Sequence, residues 1–282
     1  MKRKINILCG IFVLICFMTS NINAQGPYIK FNTGYNAPFG SFPFASNSTS
    51  TQTTTGTNHK DEMVKLSYGK GINITLTPGY MLNENVGAEF GISYLIGLKT
   101  ETTSTHNYLT GKQDKDVMTY KGSLISFAPS LVISAGLEKI DPYSKFGVII
   151  GIPSFTEESN STAQNGNASS SITKYKGGVA LGITGALGVR YPFSENFSGF
   201  FEVAMNNLNY APKKSVITES KSNGIDMLPL MTTHDKETEY VDPYEYNSST
   251  TPDESKPTQA AKYKLPFSSL AINLGVCMMF GN

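Results

Sequence analysis

The stretch Phe267-Ser-Ser-Leu-Ala-Ile-Asn-Leu-Gly-Val-Cys-Met-Met-Phe280 decides the fold. Leu270, Ile272, Leu274, Val276, Met278 and Phe280 alternate with Ala271, Asn273, Gly275, Cys277 and Met279. Successive side chains of a strand point to opposite faces, so one face here is apolar throughout and the other is small, polar or soft. An aromatic closes the run. One such strand fits many sheets, but the pattern recurs along most of the chain.

Seven further segments carry the same period. We place strands at 27–36, 70–80, 86–98, 123–135, 142–153, 179–192 and 197–210, with 267–280 as the eighth. Each exceeds the usual globular strand and matches the roughly 9–11 residues that a tilted strand needs to cross a bilayer. Ile72, Ile74 and Leu76 oppose Asn73, Thr75 and Thr77, and Phe201, Val203 and Met205 oppose Glu202, Ala204 and Asn206. The connections alternate in length. Those at 81–85, 136–141 and 193–196 are short and carry the Asn, Gly, Asp, Pro or Ser of tight turns. Four others, about 37–69, 99–122, 154–178 and 211–266, are long and polar. The Ser/Thr/Asn tracts at 46–57 and 159–171 lack the apolar surface to offset their ordering entropy and are expected to be mobile. Short turns at one end and long loops at the other are the organisation of an outer-membrane barrel. An even strand count puts both termini on the short-turn, periplasmic side.

A soluble, lipocalin-like barrel with its apolar face inward produces the same alternation. Three features favour the apolar face outward. The opposite face is rich in Gly, Ala and Ser, as a narrow eight-stranded interior demands. Aromatics gather at the strand ends: Tyr28, Tyr80, Tyr143, Tyr191, Phe193 and Phe280 near the short turns, and Tyr35, Tyr68, Tyr94, Tyr120 and Tyr210 toward the loops. Two such bands fit interfacial girdles, with Tyr and Phe serving where Trp is absent. Phe280, the aromatic near the end of the last strand, is the third.

The N-terminus reads as a secretory signal peptide, 1–24. Lys2, Arg3 and Lys4 precede a short apolar run and a polar stretch ending at Ala24. The run is too short to cross a bilayer as a helix. Cleavage leaves Cys277 as the sole cysteine, hence no intramolecular disulfide in an exported chain. It also removes three of 23 basic residues, leaving 20 against 22 acidic ones. That near-neutral balance argues against a nucleic-acid partner.

The segments Tyr28-Ile-Lys-Phe-Asn-Thr-Gly-Tyr35 and Gly79-Tyr-Met-Leu-Asn-Glu-Asn-Val-Gly87, with the aromatic-ended last strand, make the chain resemble the small outer-membrane β-barrel family. Its types are the membrane domain of OmpA and the free-standing OmpX-like proteins. The resemblance covers essentially the whole mature chain. It implies an all-β, eight-stranded antiparallel up-and-down transmembrane barrel in the outer membrane of a Gram-negative bacterium. It implies insertion by the outer-membrane assembly machinery, but no biochemical activity and no OmpA-like tethering role. Members commonly end on the aromatic itself, whereas Gly281 and Asn282 follow Phe280 here.

Five charges fall on the small, polar face: Lys30, Glu89, Lys145, Arg190 and Glu202. Each lies a few residues from the short-turn end of its strand, so strand rise places them at one level of the lumen. Such charges cannot stay unpaired inside a narrow barrel. We expect an ion-pair network that closes the lumen there; a gated pore is the alternative. Phe280 is expected to close the barrel at the periplasmic rim.

Enzymatic parts are sparse. His59, His106 and His234 all fall in the long loops. Asp114-Lys-Asp116 and His234-Asp235 have the composition of the acid pair and Asp/His dyad of omptin proteases, which activate a water. They hang from expected loops rather than rigid strand tips. The acidic, Tyr-rich run 235–246 has no calcium-loop spacing. We therefore expect no catalytic residues, no cofactor and no metal. The expected protein is monomeric and non-enzymatic. It meets outer-membrane lipid and works through its loops on an unidentified surface ligand or envelope protein. A small diffusion channel is the first alternative and an omptin-like hydrolase the second.

Overall fold

The computed structural model describes residues 26–39, 45–246, 249 and 251–280. The expected signal peptide and Gly281–Asn282 lie outside the described residues. One sheet contains β1 (Gly26–Pro38), β2 (Ser46–Thr53), β3 (Gly56–Met63), β4 (Gly71–Met81), β5 (Val86–Gly97) and β6 (Thr100–Asn107). It continues through β7 (Gln113–Ser134), β8 (Asp141–Thr162), β9 (Ala168–Lys176), β10 (Ala180–Pro192), β11 (Phe197–Tyr210) and β12 (Lys214–Ser222). It ends with β13 (Ile225–Asp226), β14 (Glu237–Val241), β15 (Thr258–Ala261), β16 (Leu265–Pro266) and β17 (Ser269–Met279). The expectation of eight strands is thus corrected to seventeen among the described residues.

A closed circuit of ladders runs through part of this sheet. β1 pairs with β4, and the ladder continues through β5, β7, β8, β10, β11 and β17 back to β1, antiparallel at every step. Closure leaves no strand edge in this ring, so every ladder group has a neighbour. The amide of Phe280 extends the seam between β1 and β17 by donating to the Pro27 carbonyl at 2.9 Å.

The extra strands lie where the sequence suggests mobile loops. β7 and β8, 22 residues each, continue beyond the ring and carry an outer sheet. On one side it adds β6, then β2 in parallel, then β3. On the other it adds β9, β12, β14 and, in parallel, β15. The reason is physical. The outgoing strands offer a template, and the Ser/Thr tracts satisfy their backbone groups along it. Thr favours extended backbone, and a sheet wetted on both faces needs no apolar alternation, so the periodicity signal is silent there.

In the ring the large apolar side chains point away from the interior. Leu187 is 71% exposed and Leu274 63%, and Ile72, Ile74, Phe146, Val148 and Ile272 are exposed too. Lys30, Asn73, Glu89, Ala186, Glu202, Ala271 and Cys277 are buried inside. The expected girdles need one correction. Tyr80, Tyr191, Phe193, Phe280, Tyr35 and Tyr94 are exposed on the outer face, but Tyr28, Tyr143, Tyr68 and Tyr210 are buried. Where the ring interior lacks bulk at its two ends, these large side chains fill it.

Candidate functional site

The interior of the ring is filled in three levels. The first, toward the short turns, is ionic. Lys30 comes from β1, Glu89 from β5, Lys145 from β8 and Glu202 from β11, which are alternate strands of the ring. Positive and negative charges therefore alternate around the interior. Lys30 Nζ pairs with Glu89 Oε1. Lys145 Nζ sits 2.9 Å from Glu202 Oε2 and 3.7 Å from Glu89 Oε2. Hydroxyls complete the shell: Tyr28 donates to Glu89 Oε1 at 2.9 Å and Tyr143 to Glu202 Oε2 at 3.1 Å. The amide of Asn273 donates to Glu202 Oε1 at 3.3 Å. The Lys30 ammonium lies 4.4 Å from the Tyr143 ring centroid and 5.3 Å from that of Phe200, within cation–π range.

Intervening strands make room for these groups. Gly79, between Tyr28 and Glu89, and Gly188, between Tyr143 and Glu202, face the two tyrosine rings so closely that a Cβ at either would collide with them. The same arrangement thus occurs twice, as Tyr28, Lys30, Gly79 and Glu89 and as Tyr143, Lys145, Gly188 and Glu202. Its sequence trace is the pair Pro27-Tyr-Ile-Lys-Phe31 and Pro142-Tyr-Ser-Lys-Phe146. Comparing strand starts finds Tyr28 and Tyr143 as part of the site, which reading each strand separately misses.

Arg190 stands apart from these four charges. Its guanidinium pairs with Asp141, the residue directly opposite it, through Nη2 and, at 3.1 Å, through Nε. Asp141 Oδ1 also accepts from the Ser134 hydroxyl at 2.5 Å and the Gly136 amide at 2.9 Å. The single level of five charges is thus corrected to a cluster of four and a separate pair at the mouth. Sequence reasoning misses Asp141 because it places the residue in a turn, whereas β8 begins there.

The second level is a polar chamber of about 80 Å³, bordered by Asn32, Asn36, Asn73, Thr184, Asn206 and Asn273 among others. The third is an aromatic cap at the end where the outer sheet begins. Tyr68 lies 4.1 Å from Phe155 and 5.6 Å from Phe267, and Tyr210 meets Phe267 edge-on at 5.9 Å. Leu66, Leu95, Leu124, Leu208 and Leu265 pack with them. The segments at 67–69 and 266–268 cross the mouth and fasten to each other: the Tyr68 amide donates to the Pro266 carbonyl at 3.1 Å, and the Ser67 hydroxyl to Ser268 O at 2.6 Å.

Outside the ring, Asp114 accepts from the Tyr108 hydroxyl at 2.5 Å and the Gln164 amide at 2.7 Å. Those donors hold its carboxyl below the usual range. His106, opposite Asp114 in the ladder, contacts Ser50 through Nδ1. Asp116 accepts from Ser161. His234 lies in a one-turn helix, α1 (Thr233–Lys236), where Asp235 caps the turn with Thr232. Asp114, Asp116 and Asp235 are thus engaged in local hydrogen bonds. Among the described residues no group of three or more His, Cys, Asp or Glu is placed to hold a metal ion.

No curated protein matches the chain. Among solved structures, CarO2 of Acinetobacter baumannii matches at 13% identity, covering 90% of this chain and 98% of that one, with a TM-score of 0.33. That likeness is too loose to support the architecture, which rests on the ladders above. The family model for the outer membrane protein beta-barrel domain matches residues 10–224, well over half of the chain. A closed antiparallel ring, apolar outside and polar inside, together with that match, places the chain in the outer membrane protein beta-barrel domain family.

Proposed function

We propose that the protein is a non-conducting outer-membrane anchor that displays its outer sheet to the cell exterior. In this reading the eight strands of the closed circuit cross the membrane as an up-and-down barrel behind a cleaved signal peptide. Both termini lie in the periplasm, and β7 and β8 lift the outer sheet clear of the lipid. The barrel does no chemistry; the outer sheet contacts a surface ligand or envelope protein. The observation that carries the reading is the double closure of the lumen. A solute entering from the short-turn end meets four interlocked charges inside a low-dielectric wall, whose separation costs several kcal/mol. From the other end it meets the packed rings of Tyr68, Phe155, Tyr210 and Phe267. An open channel needs both barriers removed.

Planar-bilayer recording of the purified full-length protein tests this. The anchor reading expects no sustained single-channel conductance, and none after Tyr68→Ala, because the ionic level remains. Sustained conductance of the unmodified protein would establish the small diffusion channel in its place.

A further inference from the structure

We propose that Glu157, with the rings of Tyr120, Tyr175 and Tyr263 about it, is a site for an organic ammonium ion on the face of the outer sheet that continues the barrel interior. Glu157 lies on β8 two residues beyond Phe155 of the aromatic cap, and so on the same face of the strand. Tyr120 stands directly opposite Glu157 on β7, and Tyr175 directly opposite Phe155 on β9. The Tyr175 hydroxyl donates to Glu157 Oε2 at 2.7 Å, and its ring stacks on Phe155 at 4.5 Å. Tyr240 lies nearly parallel to Tyr175 at 6.3 Å and meets Tyr263 edge-on at 5.1 Å. Glu157 and these tyrosines are all partly exposed, so the group is open to solvent.

The strands around Glu157 bring no amine to this face. Ladder neighbours share a face, and successive residues of a strand change face. Lys115, Lys121, Lys174, Lys176, Lys214 and Lys221, the lysines of β7, β9 and β12, all fall on the opposite side of the sheet. Among the described residues no Lys or Arg makes an ion pair with Glu157. Its charge therefore stands beside ring faces whose quadrupoles are themselves negative, a combination that attracts a cation. A bare metal ion is a poor occupant. Calcium takes roughly six to eight oxygens, and among the described residues no three His, Cys, Asp or Glu gather to hold a metal. An ammonium with carbon substituents uses both parts of the site, its charge on Glu157 and its apolar surface on the rings. This names a ligand class for the outer sheet and rests on the reading that this sheet makes the contacts.

The test is a titration of the full-length protein in detergent micelles, its tyrosine rings followed by NMR. The probe is tetramethylammonium chloride, and tert-butanol serves as its uncharged counterpart of similar shape. We expect a saturable shift at the Tyr120, Tyr175 and Tyr263 rings with a midpoint of about millimolar, and no saturation with tert-butanol. Glu157→Gln keeps an acceptor for the Tyr175 hydroxyl and should weaken the binding about tenfold or more. Tyr120→Leu should weaken it about two- to fivefold. No saturable shift, an equal response to tert-butanol, or unchanged binding by Glu157→Gln would each overturn the proposal. Should that variant not assemble, the two probes on the unmodified protein decide alone. The closed lumen is tested separately by conductance, so either reading can fail without the other.

Discussion

Glu89→Ala probes the interior most sharply. The Glu89 carboxylate is buried, accepts from Tyr28 at 2.9 Å, pairs with Lys30 and lies 3.7 Å from Lys145. Removing it leaves Lys145 with Glu202, but leaves Lys30 with aromatic ring faces alone at 4.4–5.5 Å. Breaking a buried pair by deleting one partner costs about 3–5 kcal/mol. The orphaned Tyr28 hydroxyl adds about 1–3 kcal/mol, and the cation–π contacts, already present in the unmodified protein, offset none of this. The expected net loss is about 4–8 kcal/mol. The sequence has no Trp, so unfolding in urea from lipid vesicles is best followed by heat-dependent gel mobility and circular dichroism. Lys30→Met combined with Glu89→Leu removes both charges, and should recover stability to within about 1–2 kcal/mol of the unmodified protein. A Glu89→Ala protein within about 1 kcal/mol of the original, or a double variant no better than the single one, would refute the network.

Other perturbations address the remaining levels. Gly188→Val sets a branched side chain against the Tyr143 ring and should cost about 1–3 kcal/mol or block assembly, whereas Gly56→Ala, with open space around it, should leave assembly intact in the same gel assay. Tyr68→Ala removes a ring packed on Phe155 and Phe267 and should destabilise the barrel by about 3–5 kcal/mol in urea titrations. At the surface, Ser255 and Lys256 donate to Asp253 and lower its carboxyl from the ordinary 3.8 to about 2. These contacts are present above pH 3.8 and are lost as pH falls through about 2; an NMR titration of Asp253 with a midpoint near 4 would contradict them.

The ring was legible because lipid imposes period-2 apolar patterning, and 267–280 announces it in sequence before any pairing is known. The outer sheet was not legible. Ser46–Thr53 and Ala168–Lys176 are strands because β6 and β8 lie beside them, a tertiary cause that composition does not encode. Tyr28 and Tyr143 escape a sequence reading for a related reason. An aromatic at a strand end suits a girdle or a lumen plug equally, and only the parity of the ladder decides between them. That parity is already present at Lys30 and Lys145, two residues on and on the same face. Four of the five lumen charges come together because inward charges must find partners. Arg190 finds a different one, since the start of β8 sets Asp141 directly opposite it.

Cys277 offers the most direct test of a ring that is apolar outside and closed within. It is the free cysteine of β17, fully buried on the inner face, while its neighbour Val276 faces outward. Reconstituted protein is treated in parallel with a water-soluble and a membrane-soluble thiol reagent, and the Cys277 peptide is read by mass spectrometry, alongside Val276→Cys in a Cys277→Ser background. We expect Cys277 to resist both reagents until the barrel is unfolded, and the thiol introduced by Val276→Cys to react from the lipid phase. Labelling of Cys277 from lipid would mean that the strand faces the other way, and rapid labelling from water would mean that the lumen is open.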